Sequence, residues 1–323
     1  MQVGRGPAPK VGIALAVYRP AVGAFREQLA SIRAQSYAHW SCVLTLDSPL
    51  AELAEHVPDF LADPRFRWVE NETRLGFKGN FAHAARLAVE GGAELVAFAD
   101  QDDVWYPDKL AELVKEIGRR PPLSVVHADM DILRGETVLP ESAWQAERRD
   151  VDRATPSRLL VRNVVTGASM LMDAELLARY PTVPEEIRFH DHWYALVASF
   201  HGGVYPVHKR LHAYRQHQAN VVGVNPYRGF FMGETLGRLW TRRREALDYF
   251  RETRGVARRA AAIGLPLTRA QELAFIRRRD AGLGLLGLAA LSLPDPPHAA
   301  ACLALSAGKL LDLVSADARR TPP

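Results

Sequence analysis

The chain has 323 residues, 48% of them hydrophobic, with a formal net charge of +4. That suits one large domain, or a domain with an appendage, around a sizeable core. Its two cysteines, Cys42 and Cys302, exclude a disulfide framework or a cysteine zinc site and fit a reducing cytoplasm. The N-terminal MQVGRGPAPK lacks the apolar core of a signal peptide, and no segment has the ~20 apolar residues that span a bilayer. A cytoplasmic protein is therefore expected, peripheral at most at the inner face of the membrane.

The charge is uneven. Between Arg238 and Asp280 lie 12 Arg, no Lys and 5 acids, a local +7 that leaves −3 for the rest. Such a stretch is a local basic surface, facing phospholipid headgroups, nucleic acid or an anionic substrate, or else a solvated helical face. It carries no recognised nucleic-acid motif, which argues against a nucleic-acid partner.

Residues 1–10 read as a loose tail. Val11–Val17 is apolar throughout, as a strand buried on both faces is. Val22–Gln35 has Phe25, Leu29 and Ile32 at helical spacing. Strands follow at Cys42–Leu46 and, more weakly, Arg65–Val69. Phe77–Val89 reads as a helix and Leu95–Ala99 as the fourth strand. This alternation predicts an α/β fold with a parallel sheet and right-handed crossovers. Beyond it, Leu123–His127, Met130–Leu133 and Val204–Val207 read as strands, Asn163–Met172 as a Gly-containing loop entering a strand, and Phe189–Phe200 as a helix. Lys209–Gln216 leads into YRQHQAN. From residue 225 the chain turns Arg- and Ala-rich, then apolar at Ala281–Leu293 and Ala299–Val314. This predicts a helical C-terminal region, 225–323, appended to a sheet domain at 11–224. Its helices could pack on that domain, on a second subunit as in a homodimer, or in a membrane interface.

The chemistry concentrates where the fourth strand ends, in Asp100, Gln101, Asp102 and Asp103. Three carboxylates at the end of a buried strand repel one another and resist ionisation. A hard cation there would relieve both effects, and oxygen ligands suit Mg2+ or Mn2+. The alternative is a solvated turn capping a helix that starts at Pro107. A metal on Asp102, with Asp100 through water or a ribose contact, would hold a diphosphate. Asp191, between His190 and His192, is the candidate base opposite it, its plainer role being a helix N-cap. His217 is a candidate third ligand, and Arg215 suits phosphate. Trp105, Tyr106, Trp193 and Tyr194 flank the two acidic motifs and could stack on sugar rings or fill the core.

These motifs, in this order, resemble family 2 inverting glycosyltransferases of GT-A fold, and within them the bacterial rhamnosyltransferase-like branch. The resemblance covers about residues 11–224. It runs through Gln28, Ser31, Ile32, Gln35, Ser36 and Tyr37, then Asn71, Gly76, Phe77, Asn80 and Phe81. The DQDD-x-W-x-P-x-KL run is met in full by Asp100 to Leu110. Thr166 and Gly167 match the acceptor-side loop, HDHW the base motif, and Tyr214, Arg215, Gln216, His217 and Asn220 the closing YRQH-x-x-N. The resemblance implies a Rossmann-like, mostly parallel central sheet and a nucleoside diphosphate sugar donor, dTDP-rhamnose or a UDP-sugar. The acceptor would be a hydroxyl of a bacterial surface glycan or lipid-linked acceptor. It assigns the base to Asp191 and the metal to Asp102, Asp100 and His217. It gives the donor to Val17, Tyr18, Arg19, Asp47, Arg74, Lys78, Asn80, Asp100 and Gln101. Acceptor or sugar contacts fall to Asp103, Trp105, Gly167, His190, Trp193 and Arg215.

Three departures lie in the nucleotide half. The family's paired aspartates after the second strand are Leu46 and Asp47, the following Gly-Ser-Thr-Asp is SPLA, and the Thr and Asn of the first motif are Val17 and Arg19. Arg19, Arg74 and Lys78 could compensate by holding phosphates. A non-catalytic glycosyltransferase-like scaffold, binding a membrane or an assembly partner, is the rival expectation. A sugar nucleotidyltransferase is less well supported, because the loop after the first strand has one Gly and one Arg where a triphosphate cradle needs more.

Overall fold

The computed structural model describes residues 8–160, 163–185, 187–216 and 255–268. His217, Asn220 and both apolar C-terminal segments lie outside the described residues. The chain divides into two compact units, one of residues 1–155 and 164–226, the other of 156–163 and 227–323. In the second unit, the described part contains a short helix, Pro156–Leu159, and a helix over residues 255–262. Among the described residues no helix is long and apolar enough to cross a membrane.

The first unit is built on one sheet. β1 (Val11–Val17) pairs in parallel with β2 (Trp40–Leu46), which pairs in parallel with β3 (Phe66–Glu70). On its other side β1 pairs in parallel with β4 (Leu95–Ala99). Central placement explains why VGIALAV is apolar at every position. β3 lies at the edge and is largely part-exposed, hence its weaker signal. Val11, Ile13, Leu15 and Val17 join Phe25, Leu29 and Ile32 of helix α1 (Val22–Arg33) in one core cluster. On the opposite face Gly12 lets helix α2 (Gly76–Glu90) come close. A Cβ at Gly12 would lie 2.7 Å from the Cβ atoms of Ala88 and Ala93, so a side chain there would push the helix off the sheet.

Beyond β4 the pairing changes. The chain continues through β5 (Val104–Trp105), α3 (Lys109–Ile117), β6 (Ser124–Arg134), β7 (Thr137–Ser142), β8 (Met170–Asp173), α4 (Ala174–Arg179), α5 (His190–Ser199) and β9 (Gly203–Arg215). The strand order is β3-β2-β1-β4-β8-β6-β9-β5, with β7 paired to β6. β8 is antiparallel to both β4 and β6, β5 is antiparallel to β9, and β6 is parallel to β9. The sheet is therefore mixed, with most strands running one way. The first four strands are parallel, as the alternation predicts, and the antiparallel pairs lie beyond them in a sheet that is mostly parallel.

Two pairs of expected segments are single strands. Leu123–His127 and Met130–Leu133 merge in β6, and Val204–Val207 continues through Lys209 in β9. The apolar pattern breaks where the β6–β9 register shifts, around Asp129. β7 was not expected; Thr137, Val138, Pro140 and Glu141 are exposed, so the strand carries little apolar alternation. Pro107 does not open a helix: it and Asp108 form the turn before α3.

Candidate active site

The acidic turn leaves β4 at the edge where the parallel strands end, the side on which open α/β sheets bind ligands. Gln101 ties it to the end of β1: Tyr18 N–H donates to Gln101 Oε1 at 2.9 Å, and Gln101 Nε2 donates to the Tyr18 carbonyl at 3.3 Å. Arg215, at the end of β9, holds it from the other side. Its backbone N–H donates to Asp103 Oδ1 at 3.0 Å, its Nε donates to the Asp102 carbonyl at 2.8 Å, and its guanidinium also pairs with Glu27. Arg215 thus braces the turn, where a phosphate or acceptor contact was expected.

Beneath the turn lies a buried ionisable cluster. Lys109 is fully buried; its Nζ donates to the Ala168 carbonyl and sits 4.0 Å from the centre of the Trp105 ring. His212 Nε2 is 3.7 Å from Asp103 Oδ2, and both side chains are fully buried. Burial pushes Asp103 well above the usual carboxylate range, with the Asp100 and Asp102 charges adding to it. The same burial lowers Lys109 to about 7, outweighing the attraction of Asp103 and Asp100, and lowers His212.

Asp100 keeps some exposed surface, yet its carboxyl sits deep enough that burial is the main cause raising it to about 7. The charges of Asp102 and then Asp191 raise it further, and Lys109 opposes them. The turn after β4 and the start of α5 therefore bring their carboxylates within each other's field.

Asp191 is held by backbone donors. Gly167 N–H donates to Oδ2 at 2.8 Å, and His192 N–H donates to Oδ1 at 2.6 Å. Gly167 opens a short 3-10 turn, Gly167–Ser169, in front of β8, and it packs against His190. A Cβ at Gly167 would lie 2.8 Å from His190 Nε2. The His190 ring sits 4.3 Å from that of Phe98 and 4.5 Å from that of Phe81, with Phe77 beyond. Burial among them lowers it to about 3.

Four residues expected to contact sugar or acceptor are buried: Asp103, Trp105, His190 and Trp193 expose 0%, 2%, 3% and 1% of their surface. They shape the site from behind.

The nucleotide half differs similarly. Val17 and Asn80 are buried; the Asn80 amide donates to the Val17 carbonyl at 3.3 Å and accepts from Asn71 at 2.8 Å. Asp47 Oδ1 accepts from Asn71 Nδ2 at 2.7 Å and from Leu75 N–H at 2.9 Å, while Oδ2 accepts from Gly76 N–H at 2.8 Å. Asp47 thus serves the N-terminus of α2, where a carboxylate is favourable. Lys78 Nζ donates to the carbonyls of Pro184 and Ile187, at 2.9 and 3.3 Å, fixing the loop before α5. What remains on the surface is Tyr18 with Arg74 and Arg19, whose guanidinium carbons lie 4.2 and 5.6 Å from its ring centre. Arg19 adopts φ +41°, a strained value for a non-glycine residue.

Among the described residues no group of three or more His, Cys, Asp or Glu side chains is arranged as a metal site. The donor chemistry of Asp100 and Asp102 nonetheless fits a hard cation. Both are oxygen donors, and their mutual repulsion is what a divalent charge would relieve. Sequence reasoning missed Lys109 and His212. Lys109 had a signal: a lysine at the first position of α3 opposes the helix dipole.

Residues 22–178 match the profile of "Glycosyl transferase family 2". Over 133 residues the chain is 32% identical to "Uncharacterized protein y4gI" of Sinorhizobium fredii (strain NBRC 101917 / NGR234), a match covering 40% of this chain and 14% of that protein. The chain thus spans a small part of the curated relative's length. The solved S. aureus TarS 1–349 is similar at TM-score 0.56 and 14% identity, covering 91% of this chain and 87% of that one. The same TarS fragment in complex with UDP-GlcNAc gives a TM-score of 0.52 at 13% identity, covering 94% and 88%. The mannosyltransferase PcManGT from Pyrobaculum calidifontis, in complex with GDP-Man and Mn2+, gives 0.51 at 19%, covering 96% and 80%. At such identities the likeness is one of fold. It agrees with the GT-A-like α/β architecture seen around the segment that the profile matches.

Proposed function

We propose that this protein is a metal-dependent inverting glycosyltransferase. It moves a sugar from a nucleoside diphosphate donor to a hydroxyl of a bacterial surface glycan or glycolipid. The observation that carries this is the family 2 profile match across the acidic turn, with Asp191 held ready by the Gly167 and His192 amides. Asp102 and Asp100 would hold a divalent cation, which offsets the charge that gathers on the departing diphosphate. Asp191 takes the proton from the acceptor hydroxyl as the oxygen attacks the anomeric carbon. The new C–O bond forms as the bond to the diphosphate oxygen breaks, which inverts that carbon. The N–H groups of Gly167 and His192 hold the Asp191 carboxylate in place during this transfer. The exposed Tyr18, Arg19 and Arg74 form the donor side, the arginines suiting phosphate oxygens. The resemblance of the DQDD-x-W-x-P-x-KL run to the rhamnosyltransferase-like branch supports dTDP-rhamnose as donor, with a UDP-sugar as the alternative. UDP-GlcNAc in TarS and GDP-Man with Mn2+ in PcManGT support a nucleotide sugar and a metal of this class.

A second reading is a glycosyltransferase-like scaffold that binds a membrane or a partner. It is favoured by Asp47, Lys78 and Asn80, whose expected donor contacts are all taken up within the fold. Calorimetry with UDP-, dTDP- and GDP-sugars separates the two. Binding that requires Mn2+ supports the transferase; no binding of any nucleotide sugar supports the scaffold.

A further inference from the structure

Lys109 carries two energetic penalties that α3 does not need. Its ammonium is fully buried, so it has lost the hydration that a charge otherwise keeps. It also stands at the positive end of the helix, where a cation is disfavoured. Its contacts offset them in part. Nζ donates to the Ala168 carbonyl, lies over the Trp105 ring, and is attracted by Asp103 and Asp100. Ala168 is the middle residue of the Gly167–Ser169 turn, and the preceding residue, Gly167, donates to Asp191. One side chain under the acidic turn is therefore two hydrogen bonds from the carboxylate of α5.

We propose that Lys109 is a positioning residue: it ties the acidic turn to the Gly167–Ser169 turn and so sets where Asp191 stands. It touches neither donor nor acceptor. The inference rests on the transferase reading for its consequence, and on the contacts alone for its mechanical part. A misplacement of about 1 Å can slow a reaction by about 100-fold while leaving binding intact. The signature is therefore a fall in kcat with little change in KM.

The test uses the full chain and Lys109→Met, which keeps the volume and removes the charge and the donors. The assay donor is whichever of a UDP-, dTDP- and GDP-sugar panel the wild type consumes with Mn2+. Expected is a kcat lower by about 100-fold, with donor KM and Mn2+ affinity each within about threefold. Hydrogen–deuterium exchange should rise in peptides spanning 164–170 and 190–195 and stay unchanged in β1 and β2. An unchanged kcat, a loss confined to KM, or unchanged exchange in those two peptides would overturn the proposal. If Lys109→Met fails to fold, Lys109→Leu, which likewise has no donor, is read the same way. A wild type inactive on the whole panel counts against the transferase, and the exchange pattern then decides the Lys109 link by itself.

Discussion

The amide of Gly167 donates to Asp191 Oδ2 at 2.8 Å, and the same glycine lies against the His190 ring. A loop in front of β8 is thereby fixed to the first turn of α5. Gly167→Ala would place a methyl 2.8 Å from His190 Nε2, too close without movement. Overpacking of this kind costs about 1–3 kcal/mol. We expect a lower Tm together with a loss of transfer of about tenfold or more, read by thermal melts and turnover on one preparation. Unchanged turnover would mean that Asp191 does not depend on this loop.

Asp47 should behave as a helix anchor. Asp47→Ala removes the acceptor for Leu75 N–H, Gly76 N–H and Asn71 Nδ2. A loss of about 1–2 kcal/mol is expected in urea unfolding. A variant as stable as wild type but weakened in nucleotide binding would return Asp47 to the base-contacting role.

Lys78 and Arg74 should separate in a binding experiment. Lys78→Met removes the ammonium that bridges the carbonyls of Pro184 and Ile187, so the loop before α5 loosens. Its affinity for UDP with Mn2+ is expected to stay within about twofold of wild type, since its ammonium is already engaged. Arg74→Ala removes an exposed guanidinium beside Tyr18 and should weaken that binding by about tenfold, as loss of a charge-assisted phosphate contact does. The reverse ranking would place the phosphates against Lys78.

Burial lowers His127 to about 3, with the Arg149 and His208 charges adding to the effect. In the unfolded chain it titrates near 6.5. Its contribution to stability is complete above the unfolded value and is lost as the pH falls from about 6.5 to 3, because only the unfolded state takes up the proton there. His127→Leu should therefore flatten stability against pH across this window by up to about 1.4 kcal/mol per unit. Parallel curves for the two proteins between about pH 6 and 4 would contradict this.

The first half of the fold was legible because each element is locally consistent. β1 and β4 are buried on both faces and apolar throughout, and α1 shows its buried face at helical spacing. β6 and β9 read as fragments because their shared register shifts near Asp129 interrupt the pattern that periodicity detects. At the site, the acidic turn and HDHW were visible as residue types in order. Their partners were not. Nothing local says that Arg215 reaches back to Asp102 and Asp103, or that Lys78 holds a loop distant in the chain. Such roles are set by tertiary placement, so residue type alone assigned Lys78 and Arg215 to phosphates, and the aromatics to sugars.

The most direct measurement is sugar release and transfer from the nucleotide-sugar panel, with and without Mn2+, for wild type and Asp191→Asn. Asp191→Asn keeps the side chain's shape and, with its one carbonyl oxygen turned to the Gly167 N–H, gives up the His192 bond; it cannot take the acceptor's proton. Wild type should transfer only with the metal. Folded Asp191→Asn should bind donor normally while transferring about 1,000-fold more slowly, within the range for losing a general base. Full transfer by that variant, or equal rates with the metal stripped away, would contradict the paired roles of the acidic turn and Asp191.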